Sequence, residues 1–138
     1  SENIRNLLRL KRFGFEPQSA LAFLHSGGTL PAEALARMLP EPFDSWSREM
    51  GHSGVGEALS GLHEEGGFDA LTASLEKALD DYCRDILFHA RYSINAPENV
   101  LAYIWGKEME VRNIRTVLVS KSAGSDKDAA GRMLRHGY

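Results

Sequence analysis

Apolar side chains in the second half of the chain recur every three or four residues, which is the spacing of one helix face. The clearest segment carries them at Phe68, Leu71, Leu75, Leu79, Tyr82, Ile86 and Ala90. This pattern predicts a long helix from Phe68 to about Tyr92 with one buried side. A second long helix is predicted from Pro97 to about Lys121, closed by Gly124. No segment alternates with a period of two, so we predict an all-α, multi-helix bundle with little or no strand.

Shorter helical patterns, separated by glycine and proline, fill the chain before Phe68. The predicted helices span Glu2 to Phe13, Pro17 to about His25, Pro31 to Pro40, Phe43 to Met50 and Val55 to Glu65. Gly14 is predicted to end the first helix, because glycine accepts the left-handed conformation that follows many helices. Near the C-terminus, Ser125 and Asp128 have the spacing of a capping box for a last helix.

Composition excludes several classes of protein. The chain has 138 residues, of which 43% are hydrophobic, so it is long enough for one ordinary domain with a core. A formal net charge of -3 gives no basic excess for binding nucleic acid. The apolar runs are shorter than the roughly 18 residues that a membrane span needs. The single cysteine, Cys83, is interpreted as a small helix residue in a reducing, cytosolic protein.

One motif occurs twice in the chain. The first copy is Asn3-Ile4-Arg5-Asn6-Leu7-Leu8, followed by Lys11 and Gly14. The second copy is Asn113-Ile114-Arg115-Thr116-Val117-Leu118, followed by Lys121 and Gly124. The repeat distance is therefore 110 residues, longer than the roughly 20–50 residues of common solenoid units. The repeat indicates duplicated helical modules.

The end of each module is expected at a similar tetrapeptide. We match Ala36-Arg37-Met38-Leu39 with Gly131-Arg132-Met133-Leu134, which makes the first copy 15 residues longer. Most of this difference falls between Glu16 and Pro31, a segment that the second copy would lack. We expect a first module over residues 1–96, with the first motif, a glycine-rich middle and a long helix. Residues 97–138 would begin the next module, packed as one domain with the first.

Charged residues interrupt the apolar stripe of the helix that begins at Pro97. The stripe runs through Leu101, Ile104, Val111 and Leu118. Positions 108 and 115 belong to it but are Glu108 and Arg115. A charge on a buried stripe requires a partner, so we predict a network of Glu108 with Arg115 or Arg112. Alternatively the helix is slightly rotated and these side chains face water.

Two further interpretations concern polar groups. Asn113 is expected to bond a backbone group of a neighbouring helix. The pairs Lys77/Asp81 and Asp80/Arg84 have i,i+4 spacing and are predicted to lie on a solvated helix side.

Residues typical of catalysis do not form a convincing site. The five histidines are His25, His52, His63, His89 and His136, and none stands at metal-ligand spacing from another ligand. A nearby guanidinium is unfavourable for a general acid at Glu108 or Glu110. Trp46, Trp105 and Tyr103 are interpreted as core aromatics, with a contact role as the alternative. We therefore predict no catalytic, cofactor-binding or metal-binding residue.

The segment LAYIWGKEMEVRNIRTVLVSKSAG, residues 101–124, resembles the C-terminal signature of the C-subunit family of V-type ATP synthases, whose eukaryotic counterpart is called the d subunit. The signature corresponds to Lys107, Glu108, Glu110, Arg112, Asn113 and Arg115. The segments FLHSGGTLPAEALARML and LEKALDDYCRDIL are similar to other helices of that family. The repeat copy consists of Asn3, Arg5, Lys11 and Gly14, but Glu2 stands where the signature has Arg112, and the stretch from Gly51 to Gly67 has no match.

The resemblance implies an all-helical, non-catalytic adaptor without a cofactor. Such an adaptor sits on the cytoplasmic face of the membrane rotor ring and holds the foot of the central shaft. ATP chemistry occurs elsewhere in the complex, coupled to H⁺ or Na⁺ transport. Two alternatives are a helical scaffold or protein-interaction module unrelated to the ATPase, and a small enzyme with an unrecognised site.

The sequence begins with Ser1 and enters a helical pattern at once. We expect that it starts partway through a larger protein, although a tag remnant or processing would also explain the first residue. Members of the family are two to three times longer, so the resemblance implies a C-terminal part.

Overall fold

The computed structural model describes residues 1–51, 53–64, 66–90 and 97–135. Within these ranges the chain forms eight α-helices, one 3-10 helix and no strand, which confirms the all-α prediction. The helices are α1 (Glu2–Arg12), α2 (Pro17–Ala20), the 3-10 helix (Leu21–Phe23), α3 (Ala32–Arg37), α4 (Phe43–Glu49), α5 (Gly54–Leu59), α6 (Phe68–Ala90), α7 (Pro97–Ser122) and α8 (Lys127–Met133). None of these helices is long and apolar enough to cross a membrane.

Most predicted helix ends agree with the structure to within a few residues. The helix from Pro17 is shorter than predicted, because it tightens into the 3-10 helix and ends at Leu24, whose backbone is extended. The predicted helix from Val55 to Glu65 ends at Leu59. Tyr92 lies outside the described residues. The predicted capping box at Ser125 is wrong, since Asp126 is the N-cap of α8 and its side chain makes no capping hydrogen bond.

The chain divides into two compact units, Ser1–Leu79 and the residues from Asp80 onward. In the first unit α1 packs against α3, and α4 packs against α5. The predicted apolar face of α6 is confirmed at Leu71, Leu75 and Leu79, which are buried. Ile86 is exposed, so the prediction is wrong for that residue. The division into modules at residues 96 and 97 stays a prediction.

Trp46 is the largest fully buried side chain of the first unit. Its Nε1–H donates a hydrogen bond of 3.0 Å to the carbonyl oxygen of Met38. Its ring lies 5.2 Å from the ring of Phe43, centroid to centroid. The indole therefore buries a large apolar surface and still satisfies its single polar group. This confirms the interpretation of Trp46 as core, whereas Tyr103 in the second unit is exposed and Trp105 is half-buried.

In the second unit, α7 buries a different side from the one predicted. Ala102, Gly106 and Met109 are buried, and α8 packs against α7. All four members of the predicted stripe are exposed: Leu101, Ile104, Val111 and Leu118. The prediction failed because α7 carries apolar residues on more than one side, and small residues allow close packing on the side that is buried.

A substitution at Gly56 tests how closely α4 and α5 pack. A Cβ atom at this position would lie 2.8 Å from the carbonyl oxygen of Gly51 and 2.9 Å from that of Ser47. Gly56→Ala should therefore force the two helices apart and lower the free energy of unfolding by about 1–3 kcal/mol. Urea denaturation followed by circular dichroism measures this change.

Gly61→Ala is the matched control, because a Cβ atom there would meet nothing within 4 Å. Its effect should stay within about 0.5 kcal/mol. Equal stability of both variants would contradict the close approach of α4 and α5.

Candidate functional site

The two motif helices, α1 and α7, end in the same turn. Gly14 and Gly124 have φ angles of 68° and 65°, in the left-handed region that favours glycine. The next amide reaches back into the helix in both copies. Phe15 N–H donates to the Leu10 carbonyl at 3.1 Å, and Ser125 N–H donates to the Ser120 carbonyl at 2.9 Å. Both turns are therefore Schellman-type helix ends, as the repeated glycine predicts.

The motif asparagine of each copy binds the backbone of one residue that lies 22 positions further along the chain. Asn3 Nδ2 donates to the His25 carbonyl at 2.8 Å, and His25 N–H donates to Asn3 Oδ1 at 2.8 Å. In the second copy, Asn113 forms the same two bonds with Arg135, both of 2.9 Å. We call this pair of bonds the asparagine bracket. The expectation that Asn113 bonds a neighbouring backbone group is met, although the group follows a helix rather than lying within one.

The bracket corrects the predicted alignment of the two copies. Since Asn3 pairs with His25 and Asn113 with Arg135, residues 3–25 correspond to 113–135 without a gap. Gly131–Leu134 is therefore the counterpart of Leu21–Leu24, not of Ala36–Leu39. Residues 126–135 are therefore the counterpart of Glu16 to His25, a part of the segment that the second copy was expected to lack. The tetrapeptides were matched by their letters, whereas the structural equivalence depends on backbone hydrogen bonds.

Asp80 forms a buried charged cluster in the second unit. Its side chain is 0% exposed, and Oδ2 accepts bonds of 3.0 Å from Arg112 Nη1 and 2.7 Å from Arg135 Nε. The prediction that Asp80 lies on a solvated side of its helix is wrong. A buried carboxylate is costly without partners, and two guanidinium groups supply them here.

The Asp80 cluster and the asparagine bracket meet at Arg135. Asn113 holds its backbone, and Asp80 holds its guanidinium. The segment that follows α8 is therefore fastened to α7 through the backbone and to Asp80 through the side chain.

The predicted network of Glu108 is absent from the described residues. Glu108 and Arg115 are both exposed, as in the alternative interpretation, and Arg112 pairs with Asp80. The other acidic signature residue, Glu110, binds Lys107 at 2.9 Å on the helix surface. This hydrogen bond and the charge of Glu110 raise the pKa of the Lys107 ammonium. Such an exposed pair contributes little to stability.

The first copy has different charges around its bracket. Glu2 and His25 occupy the positions of Arg112 and Arg135, and Arg5 pairs with Glu2 at 3.3 Å.

Two further side chains of α1 bind backbone carbonyls. Asn6, for which the sequence predicted no role, donates to the Phe23 carbonyl at 3.2 Å. The Lys11 ammonium donates to the carbonyls of Leu39 and Glu41, at 2.9 and 2.7 Å. Lys11 thus binds the chain just beyond the end of α3.

Sequence reasoning missed Asp80 and Arg135. Arg112 and Arg135, which bind Asp80, lie 32 and 55 residues from it in the sequence, and no local spacing indicates such pairs. A weak indication was available, because Arg112 replaces Glu2 between the copies and so needs a different partner. Among the described residues, no group of three or more histidine, cysteine, aspartate or glutamate side chains could hold a metal ion. His52 and His136 lie outside the described residues.

Comparison with known proteins shows which family the chain resembles. A family model described as "ATP synthase (C/AC39) subunit" matches residues 1–133. The C subunit of the A-type ATP synthase of Halobacterium salinarum is 31% identical over 129 residues, and that of Haloferax volcanii is 30% identical over 131 residues. These matches cover 91% and 92% of this chain, but only 36% of each relative. The chain thus spans about a third of the length of its relatives. No solved structure shows significant similarity.

The Asp80 cluster can be tested by removing its charge. In Asp80→Asn the two guanidinium groups lose their shared carboxylate, so we expect the free energy of unfolding to fall by about 3 kcal/mol. Asp85→Asn is the control, because Asp85 lies on the same helix and pairs with Arg84 at the surface. This control should cost about 0.5 kcal/mol or less. Urea denaturation of both variants measures the difference, and similar values would argue against a stabilising cluster.

The asparagine bracket can be tested by hydrogen exchange. Asn113→Asp keeps the acceptor for the Arg135 N–H but loses the donor for its carbonyl. Amide exchange in α8 and at Arg135 should become at least about tenfold faster. Mass spectrometry of peptides from this segment measures the rates.

Ser122→Ala is the matched control for the bracket. Ser122 lies at the C-terminal end of α7, and its hydroxyl donates one exposed hydrogen bond to the Val119 carbonyl. Its exchange rates should equal those of the unmodified chain. If Asn113→Asp behaves like this control, the bracket does not hold the segment.

Proposed function

The chain belongs to the ATP synthase (C/AC39) subunit family, and from this membership we propose that it is a non-catalytic part of the central stalk of a V/A-type ATP synthase. In this role it links the membrane rotor ring to the central shaft during ATP-coupled H⁺ or Na⁺ transport. It would lie on the cytoplasmic face of the membrane as a peripheral subunit. The observation that carries the proposal is the family match over nearly the whole chain.

The structure of the second unit is compatible with a part that transmits force. Arg135 is held by three hydrogen bonds, two through its backbone and one through its guanidinium. The turn at Gly124 fixes the direction of the chain after α7. Several bonds on one segment resist displacement together, because moving the segment breaks all of them. Stiffness of this kind suits an adaptor between a ring and a shaft.

A binding experiment tests this role against the alternative of a helical scaffold unrelated to the ATPase. The complete chain is immobilised and exposed separately to purified rotor-ring proteins and purified shaft proteins from the same organism. We expect both to be retained, because a linking part needs a surface for each. Bovine serum albumin, passed over the same surface, controls for non-specific retention.

Retention of neither the ring nor the shaft proteins would favour the unrelated scaffold, and retention of the shaft alone would remove the link to the ring. The non-catalytic part of the proposal is tested on the chain in solution. We expect no ATP hydrolysis above the buffer rate. Measurable turnover would contradict this expectation and support the third interpretation, an enzyme with an unrecognised site.

A further inference from the structure

The segments that the two asparagine brackets hold end in the same backbone turn. Leu24 N–H donates to the Leu21 carbonyl at 3.3 Å, and Leu134 N–H donates to the Gly131 carbonyl at 3.2 Å. The two turns are 110 residues apart, as are the two copies of the motif. The geometry that the copies share therefore extends from the motif asparagine to the bracketed residue.

A second side chain anchors this segment in the first copy. Besides the bracket formed by Asn3, Asn6 Nδ2 donates to the Phe23 carbonyl at 3.2 Å. Asn3 and Asn6 are three residues apart and so are neighbours on the surface of α1. Both bind residues 17–25, which we call the first return segment. Residues 127–135 are the second return segment.

The second copy has a different residue at the position of this second anchor. Thr116 is the counterpart of Asn6, and its hydroxyl donates to the Arg112 carbonyl within α7 at 2.9 Å. The hydroxyl has one proton, so this bond uses the only donor of the side chain. Arg135 anchors the second return segment by another route, since its Nε donates to Asp80 Oδ2 at 2.7 Å.

We propose that the ion pair of Arg135 with Asp80 takes the place of the Asn6 anchor in the second copy. The side chain of Arg135 is 14% exposed and that of Asp80 is 0% exposed. A hydrogen bond between two charged groups is stronger than one between neutral groups, so one such bond is a sufficient substitute for the amide. The order of the second return segment thus depends on a carboxylate in α6, whereas Asn6 holds the first to its own motif helix.

If the two anchors are equivalent, the second copy can be converted to the arrangement of the first. Thr116→Asn places an amide at the position of Asn6, and the Met133 carbonyl is the counterpart of the Phe23 carbonyl. The new amide should bond this carbonyl, because the bracket and the turn have the same geometry in both copies. With this bond the second return segment should no longer need Asp80.

Hydrogen exchange of the complete chain, measured by mass spectrometry of peptides, tests the substitution of one anchor by the other. Asp80→Asn should make amide exchange in the second return segment at least about fivefold faster, because the ionic anchor is lost. Exchange in the first return segment should change by less than about twofold, since its anchors are Asn3 and Asn6. Thr116→Asn combined with Asp80→Asn should bring exchange in the second return segment to within about twofold of the unmodified chain.

Thr116→Ser is the matched control, because serine keeps a hydroxyl and supplies no amide. Combined with Asp80→Asn, it should leave exchange in the second return segment fast. Peptides from residues 102–109 of α7 report opening of the whole unit. Circular dichroism verifies that the helices are intact. Arg135→Met replaces Asp80→Asn if that variant loses helicity, since it removes the same anchor.

Recovery with Thr116→Asn that is confined to the second return segment would support the proposal. Unchanged exchange in this segment after loss of the ion pair would overturn it, and so would failure of Thr116→Asn to restore slow exchange. Equal recovery with Thr116→Ser, or an equal slowing in residues 102–109, would indicate a general gain in stability and overturn it as well. The experiment uses no other component of the rotor, so its result is independent of the proposed function.

Discussion

One asparagine side chain in each motif helix fixes the backbone of the segment 22 residues further along the chain. After the 3-10 helix and after α8 the backbone becomes extended, with ψ angles of 133° at Leu24 and 137° at Leu134. The next residue, which is exposed in the first copy and half-buried in the second, therefore has no helical partner for its N–H or its carbonyl. A side-chain amide carries both a donor and an acceptor, so Asn3 and Asn113 each satisfy one whole residue. Aspartate lacks the donor, and glutamine is one methylene longer.

Because the bracket uses only backbone atoms of its partner, the side chain at the bracketed position is free to differ between the copies. It is His25 in the first copy and Arg135 in the second. The second copy uses this freedom to add a guanidinium beside Arg112, and together they make burial of Asp80 possible. The first copy has Glu2 at the position of Arg112 and forms a surface pair with Arg5 instead. The same backbone geometry therefore supports two different charge arrangements.

The parts of the structure that the sequence predicted are those with local causes. Gly14 and Gly124 ended their helices as predicted, because a positive φ angle is a property of the residue itself. The buried side of α7 was not predictable from periodicity, because that helix is apolar on several sides. The side that is buried carries Ala102, Gly106 and Met109. Asp80 was misplaced because its i,i+4 neighbour suggested a surface pair, whereas its observed partners, Arg112 and Arg135, are distant in the sequence. The asparagine of the motif was recognised, but its partner residue was not.

The two copies also show that the sequence of a helix does not by itself fix which of its sides is buried. Leucine occupies positions 8 and 118 in both copies, but Leu8 is 1% exposed and Leu118 is 61% exposed. Leu10 is also buried, and its counterpart in the second copy is Ser120. Identity between the copies therefore does not follow burial. The burial of a helix side depends on the elements that pack against it, and those elements are distant in the sequence.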